Sequence, residues 1–372
     1  MGLKHDQPHR PTIAVLGTRG FPGVQGGVEN HCQHIYPLMP SYGFRVFRRK
    51  PYLTPQSHHA HWPNITFVDW HTTRVQGLEA TWHTLRAVMH CIVHRPDLVH
   101  VHNMGPALLA LPLKLLGIPL VMTYHSVNYE HSKWGRCTRW LLRQSERLSL
   151  RYSDRIIFVN RKRMEQMPAY VQRKSVYIPN GVEQMQPVDD TSLLQQRGIS
   201  PGRYVLAVGR ITPEKGLEYL VEAANRSHLI EQVVIAGDYD HNDDYLMRLV
   251  GLDTHNKVVF TGYVDGPNIN QLYSHARLLA LPSLSEGLPL SLLEAMAHHL
   301  PIVASDIDAT RLMSLPESSY CAAGDTAALQ QAIEDIISQP QRPVDYDLSA
   351  HDWPTIAEHT QQVFADILSP KG

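Results

Sequence analysis

The sequence predicts an α/β protein made of two domains, each built on a parallel β-sheet. Short apolar runs of strand length alternate with helical stretches along almost all of the 372 residues, as they do in βαβ units. The first series of apolar runs lies at 13–16, 44–47, 65–68, 98–101, 120–124, 155–159 and 175–178. A fresh series follows at 204–208, 232–236, 258–261, 278–281 and 302–304. We therefore predict domains over 1–178 and 179–348, and a separate helix within 349–372.

Composition and charge exclude several classes of protein. With 43% hydrophobic and 19% charged residues, the chain is of the soluble globular type. A formal net charge of −1 argues against a nucleic-acid binder. The four cysteines are scattered, and residues 1–11 lack the apolar core of a signal peptide. We therefore expect a cytoplasmic protein without disulfides.

Helices are predicted where apolar residues recur at helical spacing between proline or glycine boundaries. They fall at 28–39, 77–94, 106–116, 133–152, from 217 onwards, 269–275, 326–338 and 353–368. The apolar run 105–124 is the one candidate membrane span. Pro112, Lys114 and Pro119 interrupt it, so a helix followed by a strand explains it better. The histidine-rich stretch 58–61 is predicted to be a solvated loop.

The loop after the first strand is unusually rich in glycine. It contains Gly17, Gly20, Gly23, Gly26 and Gly27. The dinucleotide fingerprint G-x-G-x-x-G and the P-loop signature are both absent from it. The loop is either a flexible turn or a segment whose backbone passes close to a ligand.

A second candidate site lies between the strand 204–208 and the helix that starts at Leu217. The connection reads G-R-I-T-P-E-K-G, from Gly209 to Gly216, and it contains the two cations Arg210 and Lys215. Two cations and two glycines before a helix suit a bound anion. The alternative is a surface loop with a local Glu214–Lys215 pair.

Two glutamates in the stretch 278–305 form the third candidate site. Glu286 lies in the loop that leaves one strand, and Glu294 is predicted in the first turn of the next helix. Ligands collect at such strand ends and helix N-termini in open α/β sheets, and Gly287 allows a close approach to the backbone. Alternatively, Ser291-x-x-Glu294 is a capping box, and Glu294 only stabilises the helix.

His125 and a basic helix complete the candidates in the first domain. His125 follows the strand 120–124, where site residues gather, although a single histidine is often structural. The helix 133–152 carries Lys133, Arg136, Arg139, Arg143, Arg147 and Arg151 against Glu146 alone. Trp140, Leu141, Leu148 and Tyr152 flank this stripe. It is either a solvated face or an interfacial helix for an anionic membrane.

Two longer strings resemble a known family. The setting S-x-x-E-G-x-P-x-x-x-L-E-A-M-A, from Ser283 to Ala297, is similar to the nucleotide-sugar site of the retaining glycosyltransferases of family 4. The string GTRGFP…GGVE resembles the opening of bacterial polysaccharide transferases of the rhamnosyl and glucosyl types. The resemblance implies the GT-B fold, in which two Rossmann-like domains face a cleft and the last helix packs back on the first domain.

The resemblance also assigns roles to the candidate residues. Arg210 and Lys215 would neutralise the donor diphosphate, Glu286 would bind sugar hydroxyls and Glu294 the ribose, with His125 near the reacting sugar. We expect Arg210, Lys215, Glu286 and His125 to be the catalytic group. The remaining donor contacts expected from the family are Gly26, Gly27, Gly209, Tyr263, Val264, Gly287, Leu288, Pro289 and Leu290. No metal or cofactor is expected, because Arg210 and Lys215 already offer positive charge at the phosphate site.

We therefore expect a retaining, metal-independent transferase that moves a sugar from a nucleotide-sugar donor to a saccharide or lipid-linked acceptor. It would act in cell-surface polysaccharide synthesis, in the cytoplasm or at the inner face of the plasma membrane. The rivals are a nucleotide-sugar epimerase or phosphorylase on the same fold, and a non-catalytic sugar-binding relative. The intact set of Arg210, Lys215, Glu286 and Glu294 disfavours the last of these.

Overall fold

The computed structural model describes residues 10–73, 78–126, 136–239, 243–264 and 266–369, without the side chains of 136–139. Two parallel sheets organise these residues, one in each half of the chain. The N-terminal part of the predicted basic helix, including Lys133, lies outside the described residues.

The first sheet has seven parallel strands in the order β3-β2-β1-β4-β5-β6-β7. Their bounds are β1 Thr12–Leu16, β2 Gly43–Arg49, β3 Ile65–Trp70, β4 Leu98–His102, β5 Leu120–Tyr124, β6 Arg155–Phe158 and β7 Ser175–Tyr177. The central strands β4 and β5 are buried along their full length. Helices cover both faces of such sheets, which is why neither strand has an exposed side. The polar side chains His100 and His102 of β4 are buried with the apolar ones.

The second sheet has six parallel strands in the order β10-β9-β8-β11-β12-β13. Their bounds are β8 Tyr204–Val208, β9 Gln232–Ala236, β10 Val258–Gly262, β11 Leu278–Leu281, β12 Ile302–Ser305 and β13 Tyr320–Cys321. The strand order reverses between β1 and β4 in the first sheet and between β8 and β11 in the second. Ligands bind at the carboxyl ends of strands at such switch points, so the topology directs attention to the loops after these four strands.

Where the sequence predicts a helix, the structure has one close to that position, and it adds helices that were not predicted. Fifteen α-helices are described. They are α1 Gly27–Ile35, α2 Pro55–His59, α3 Leu78–Val93, α4 Met104–Leu115, α5 Arg136–Tyr152, α6 Arg161–Glu165, α7 Ala169–Gln172, α8 Ser192–Gln196, α9 Leu217–Arg226, α10 Asp244–Leu252, α11 Gly266–Ser274, α12 Leu290–Ala297, α13 Asp308–Arg311, α14 Thr326–Ile337 and α15 Trp353–Leu368. The apolar run 105–124 is a helix and a strand, as predicted. Among the described residues, none of the helices combines the length and apolarity needed to cross a bilayer.

Two local predictions were wrong. Helix α1 ends at Ile35 and continues as a 3-10 turn over Tyr36–Leu38, because Pro37 lacks the N–H needed to extend the α-helix. The histidine-rich stretch begins with the short helix α2 rather than a loop. Pro55 occupies the first position of this helix, where its missing N–H is tolerated.

Helix α15 comes near the end of the chain but packs against the first sheet, near its start. Its buried residues Trp353, Ile356 and Phe364 belong to the same apolar cluster as Ile13 and Phe44 of the first sheet. The helix also contacts α1 and the 3-10 turn that follows it. The last described helix is therefore part of the first domain's core, although it follows the second domain in sequence.

Candidate active site between the two sheets

A cleft of about 910 Å³ opens between the two halves of the protein. Its walls are the loops that follow β1, β4 and β5 on one side and β8, β9, β10 and β11 on the other. All the residues predicted from the sequence to form the site line this cleft, namely Gly26, Gly27, His125, Gly209, Arg210, Lys215, Tyr263, Val264, Glu286, Gly287, Leu288, Pro289, Leu290 and Glu294.

The glycine-rich loop is held by a buried carboxylate. Glu29, in the first turn of α1, accepts a hydrogen bond from the backbone N–H of Arg19 at 2.9 Å and pairs with the Arg19 side chain at 3.6 Å. A Cβ on Gly26 would lie 2.0 Å from the carboxylate of Glu29, and one on Gly17 would lie 2.3 Å from the carbonyl of His102. Both glycines have positive φ. The loop is therefore a tightly packed backbone segment at the switch point rather than a flexible turn.

Lys215 and Glu286 meet at the opposite wall. The Lys215 Nζ lies 2.6 Å from Oε1 of Glu286, and the hydroxyl of Ser283 donates to the same oxygen at 2.7 Å. Gly216 has a φ of 59°, and a Cβ there would lie 2.3 Å from the carbonyl oxygen of Pro282. Close backbone packing between the loops after β8 and β11 thus brings the lysine to the glutamate. The predicted local pair of Lys215 with Glu214 is not the salt bridge that forms.

Arg210 lies on the same wall and pairs with Glu214 at 3.9 Å. One third of the Arg210 side chain is exposed, whereas Glu214 is buried. The loop after β8 therefore presents two cations to the cleft, each with a carboxylate beside it.

Gly287 lies at a close backbone contact between the two halves. A Cβ on Gly287 would lie 1.7 Å from the carbonyl oxygen of His125, so no side chain fits there. The side-chain amide of Asn160 donates to the carbonyl of Gly287 at 3.0 Å, and that of Asn180 donates to the carbonyl of Leu288 at 2.9 Å. The side chains of Asn160 and Asn180 thus hold the loop that carries Glu286 through its backbone carbonyls.

Glu294 lies deeper in the cleft. It occupies the second turn of α12, not the first, and the N-cap of this helix is Pro289, without a side-chain cap. Both the predicted first-turn position and the capping-box alternative are therefore wrong, because Pro289 starts the helix two residues earlier than Ser291 would have done. The carboxylate accepts a hydrogen bond from the hydroxyl of Tyr273 at 2.6 Å. Burial raises the pKa of Glu294, although the Tyr273 hydrogen bond acts in the opposite direction.

The turns after β8, β9 and β10 are packed backbone to backbone. A Cβ on Gly237 would lie 1.8 Å from the carbonyl oxygen of Gly209, and the N–H of Gly237 donates to the carbonyl of Gly262 at 2.9 Å. Tyr263 and Val264 follow directly and line the cleft. These two residues therefore lie close to the cation-bearing loop.

His125 belongs to a buried chain of hydrogen bonds. Its Nε2 lies 2.9 Å from Nδ1 of His102, whose Nε2 lies 2.7 Å from the hydroxyl of Tyr36. That hydroxyl also lies 2.8 Å from Nδ1 of His100. Burial, together with the charge of His100, lowers the pKa of His125 to about 3, so its ring is neutral at pH 7. The contact with His102, at the end of β4, therefore fixes the His125 ring, while His125 also lines the cleft.

Two family models match the chain. Residues 25–184 match the one described as Glycosyltransferase Family 4, and residues 202–339 match the one described as Glycosyl transferases group 1. The chain belongs to the family 4 glycosyltransferases. The family indicated by the motifs is thus confirmed, and the two parallel-sheet domains facing a cleft are the predicted GT-B fold.

Individual relatives agree with this assignment. The chain is similar to the α-D-kanosaminyltransferase of Streptomyces kanamyceticus, with 31% identity over 56% of this chain and 59% of the relative. It is 28% identical, over 57% of this chain and 58% of the relative, to the UDP-Gal:α-D-GlcNAc-diphosphoundecaprenol α-1,3-galactosyltransferase of Escherichia coli. These matches span less than two thirds of either relative. The fold is similar to that of sucrose-phosphate synthase from Thermosynechococcus elongatus, with a TM-score of 0.79, 22% identity and coverage of 97% of this chain and 100% of that one.

Sequence reasoning missed several residues that shape the cleft of this glycosyltransferase. Asn160 and Asn180 each follow a strand of the first sheet, so the strand-end rule that singled out His125 would have found them. Tyr273, the partner of Glu294, carries no such signal. Ser283, the partner of Glu286, follows β11 and is the first residue of the S-x-x-E motif, although no role was predicted for its hydroxyl. No sequence signal indicated that His31 lies beside His102 and His125, because the three histidines come from separate elements.

Proposed function

We propose that this glycosyltransferase transfers a sugar, with retention and without a metal, from a nucleotide-sugar donor to a saccharide or lipid-linked acceptor. One observation carries the proposal: the cations Arg210 and Lys215 and the carboxylates Glu286 and Glu294 line one wall of a cleft whose other wall holds His125. This is the distribution of charge that a nucleoside diphosphate sugar needs. The E. coli relative is named for a UDP-sugar donor and a lipid diphosphate acceptor, which supports this choice of substrate classes.

In the proposed mechanism, the second domain binds the donor. Arg210 and Lys215 stabilise the negative charge that grows on the leaving diphosphate. Glu294 binds the ribose hydroxyls, and Tyr263 and Val264 contact the base. Glu286 accepts hydrogen bonds from sugar hydroxyls and fixes the orientation of the reacting carbon.

The acceptor would approach from the first domain, past the glycine-rich loop and His125. Its hydroxyl would attack the face of the sugar from which the diphosphate leaves, and the departing phosphate oxygen would take the hydroxyl proton. The contacts of Asn160 and Asn180 with the loop 287–288 hold the cleft closed around the reaction. Closure of this kind excludes water that would otherwise hydrolyse the donor.

A thermal-shift screen against UDP-, GDP- and dTDP-sugars tests the donor class, because a ligand that binds only the folded state raises its stability. The donor that binds is then incubated with the enzyme with and without acceptor, in the presence of a chelator. Transfer that needs the acceptor and survives chelation supports the proposal. Conversion of the sugar without acceptor would favour an epimerase instead.

We further propose that the first domain rests on an anionic membrane surface, in cell-surface polysaccharide synthesis at the inner face of the plasma membrane. Helices α3, α4 and α5 pack side by side. Exposed apolar residues lie along this layer, at Leu78, Trp82, Leu85, Met89, Ile92, Val93, Leu115, Leu116, Trp140, Leu141, Leu148 and Tyr152. Arg143, Arg147 and Arg151 are exposed on α5. Apolar side chains beside a basic stripe suit an interfacial position, where a lipid-linked acceptor would be found.

A further inference from the structure

Three histidines from separate elements converge beneath the first-domain wall of the cleft. His31 comes from α1, His102 ends β4 and His125 follows β5. One ring nitrogen of each lies within 4.8 Å of the others, and the pair between Nδ1 of His102 and Nε2 of His125 is 2.9 Å apart. All three side chains are buried. Neither the family assignment nor the proposed transfer requires such a cluster.

We propose that His31, His102 and His125 form a binding site for a divalent transition metal ion of the zinc class. Imidazole nitrogen is a preferred ligand of Zn²⁺, Cu²⁺ and Ni²⁺. Three histidines with a fourth position for water or another ligand form a known type of zinc site.

The outer contacts of two of the rings support this assignment. Nδ1 of His31 lies 3.2 Å from Oδ1 of Asn180, and Nε2 of His102 lies 2.7 Å from the hydroxyl of Tyr36. Metal-binding histidines almost always donate their second N–H to such a partner, which fixes the ring and directs the other lone pair to the metal. With this tautomer, the lone pair of His102 Nδ1 lies on the side of His125 Nε2, and Nε2 is the nitrogen of His31 that remains to bind a metal.

The spacing also suits a metal. Zn–N bonds of about 2.0–2.1 Å place two ligand nitrogens roughly 3.4 Å apart in a tetrahedral site. His102 and His125 are already closer than this, so they need to separate slightly. The cluster nitrogens all lie within 4.8 Å of one another, so that of His31 has to move closer to the other two. The His31 ring packs edge-on against Trp353 and makes one side-chain hydrogen bond, to Asn180, so a small rotation of the ring would bring it closer.

The test compares the full-length protein with His31→Asn. The asparagine amide retains a donor for Asn180 but removes the inward-facing nitrogen, so folding and the cleft wall are preserved. His34→Asn is the matched control, because His34 lies one turn further along α1, stacks on the same Trp353 ring and is outside the cluster. Co²⁺ is the probe, since its visible absorption distinguishes tetrahedral from octahedral coordination. Zn²⁺ is then titrated by calorimetry against a competing chelator, because exposed histidines outside the cluster, such as His58 and His59, provide weak surface sites.

We expect one tetrahedral Co²⁺ per chain in the wild type and in His34→Asn, displaced by one equivalent of Zn²⁺. In His31→Asn the affinity for Zn²⁺ falls by more than about 100-fold, since loss of even a second-shell partner costs 10–100-fold. Melting curves establish that each variant is folded. Octahedral absorption in the wild type, or equal Zn²⁺ affinity of the wild type and a folded His31→Asn, would overturn the proposal. Both readouts are of binding alone, so the inference stands or falls independently of the proposed transfer.

Discussion

The Nζ of Lys215 lies 2.6 Å from Oε1 of Glu286, and this pair links the two loops that the sequence had marked separately. Both side chains are largely buried, so the pair is only weakly screened by solvent. The lysine predicted to bind diphosphate is thus also the residue that positions the glutamate predicted to bind the sugar. A change at Lys215 is therefore expected to act on both functions.

Lys215→Ala is expected to weaken binding of the matching nucleoside diphosphate and to slow transfer. Truncating one partner of a buried charge pair costs roughly 2–5 kcal/mol, which corresponds to at least about 30-fold. Arg210→Ala is expected to have a smaller effect, because its side chain is more exposed. Isothermal titration of each variant measures this. Lys162→Ala is the control, since it removes an exposed pair with Asp308. Unchanged affinity and rate would remove both cations from the site.

Glu286→Gln is expected to abolish transfer while leaving nucleoside diphosphate binding within a fewfold of the wild type. The glutamine amide keeps the size of the side chain but loses its negative charge. That charge pairs with Lys215, and the carboxylate oxygens are proposed to accept hydrogen bonds from the sugar hydroxyls. Ser283→Ala removes a hydrogen bond to the same oxygen and is expected to slow transfer less, since a single such bond contributes about 1 kcal/mol. Comparing titration with initial rates separates the two effects. A Glu286→Gln enzyme with wild-type turnover would contradict the assigned role.

Glu294→Gln is expected to weaken nucleotide binding without destabilising the free protein. Hydrogen bonds to charged groups contribute roughly 1.5–3 kcal/mol, or about 10- to 150-fold in affinity. Burial raises the pKa of Glu294 above its unfolded value near 4.5, so the ionised carboxylate reduces stability above the raised pKa. This cost disappears as the pH falls towards 4.5.

Melting curves without nucleotide at pH 5 and pH 8 test the second half of this prediction. The glutamine variant is expected to gain stability relative to the wild type as the pH rises from 5 to 8. A variant that is less stable by the same amount at both values would show that Glu294 has a structural role that its charge does not explain.

Membrane binding is expected to depend on the face formed by α3, α4 and α5. Each basic residue near an anionic leaflet contributes about 1 kcal/mol. The double change Arg143→Glu/Arg147→Glu is therefore expected to lower the affinity for anionic vesicles, measured by co-sedimentation, by at least about 30-fold. Trp82→Ser/Met89→Ser, on α3, is expected to weaken it as well. Met247→Ser/Val250→Ser changes two exposed apolar residues of the second domain and serves as the control. If wild type does not sediment with anionic vesicles, a soluble acceptor is the better assignment.

The sequence predicts most of this fold because the strands are buried on both faces. Runs such as 120–124 and 278–281 are buried along their full length and mostly apolar, and a proline bounds each of them at one end. The two helix boundaries that were predicted wrongly each depend on a single residue. Pro37 ends α1 early, and Pro289 rather than Ser291 sets the start of α12.

The candidate site was predictable to the extent that its residues follow strands. Arg210, Glu286 and His125 lie at strand ends, and parallel topology brings those ends together. Their partners were not predictable in this way. Tyr273 reaches Glu294 from α11, and Lys215 reaches Glu286 only because Gly216 lets two backbones meet. These contacts depend on how the loops pack, which local sequence spacing does not encode.

The configuration of the sugar in the product tests the central claim most directly. The donor selected by thermal shift is incubated with enzyme, acceptor and chelator, and NMR determines the anomeric configuration of the new bond. The proposal predicts a glycoside with the configuration of the donor, formed only when acceptor is present and absent with Glu286→Gln. An inverted product, or a sugar nucleotide converted without acceptor, would contradict the proposal that this cleft carries out retaining transfer.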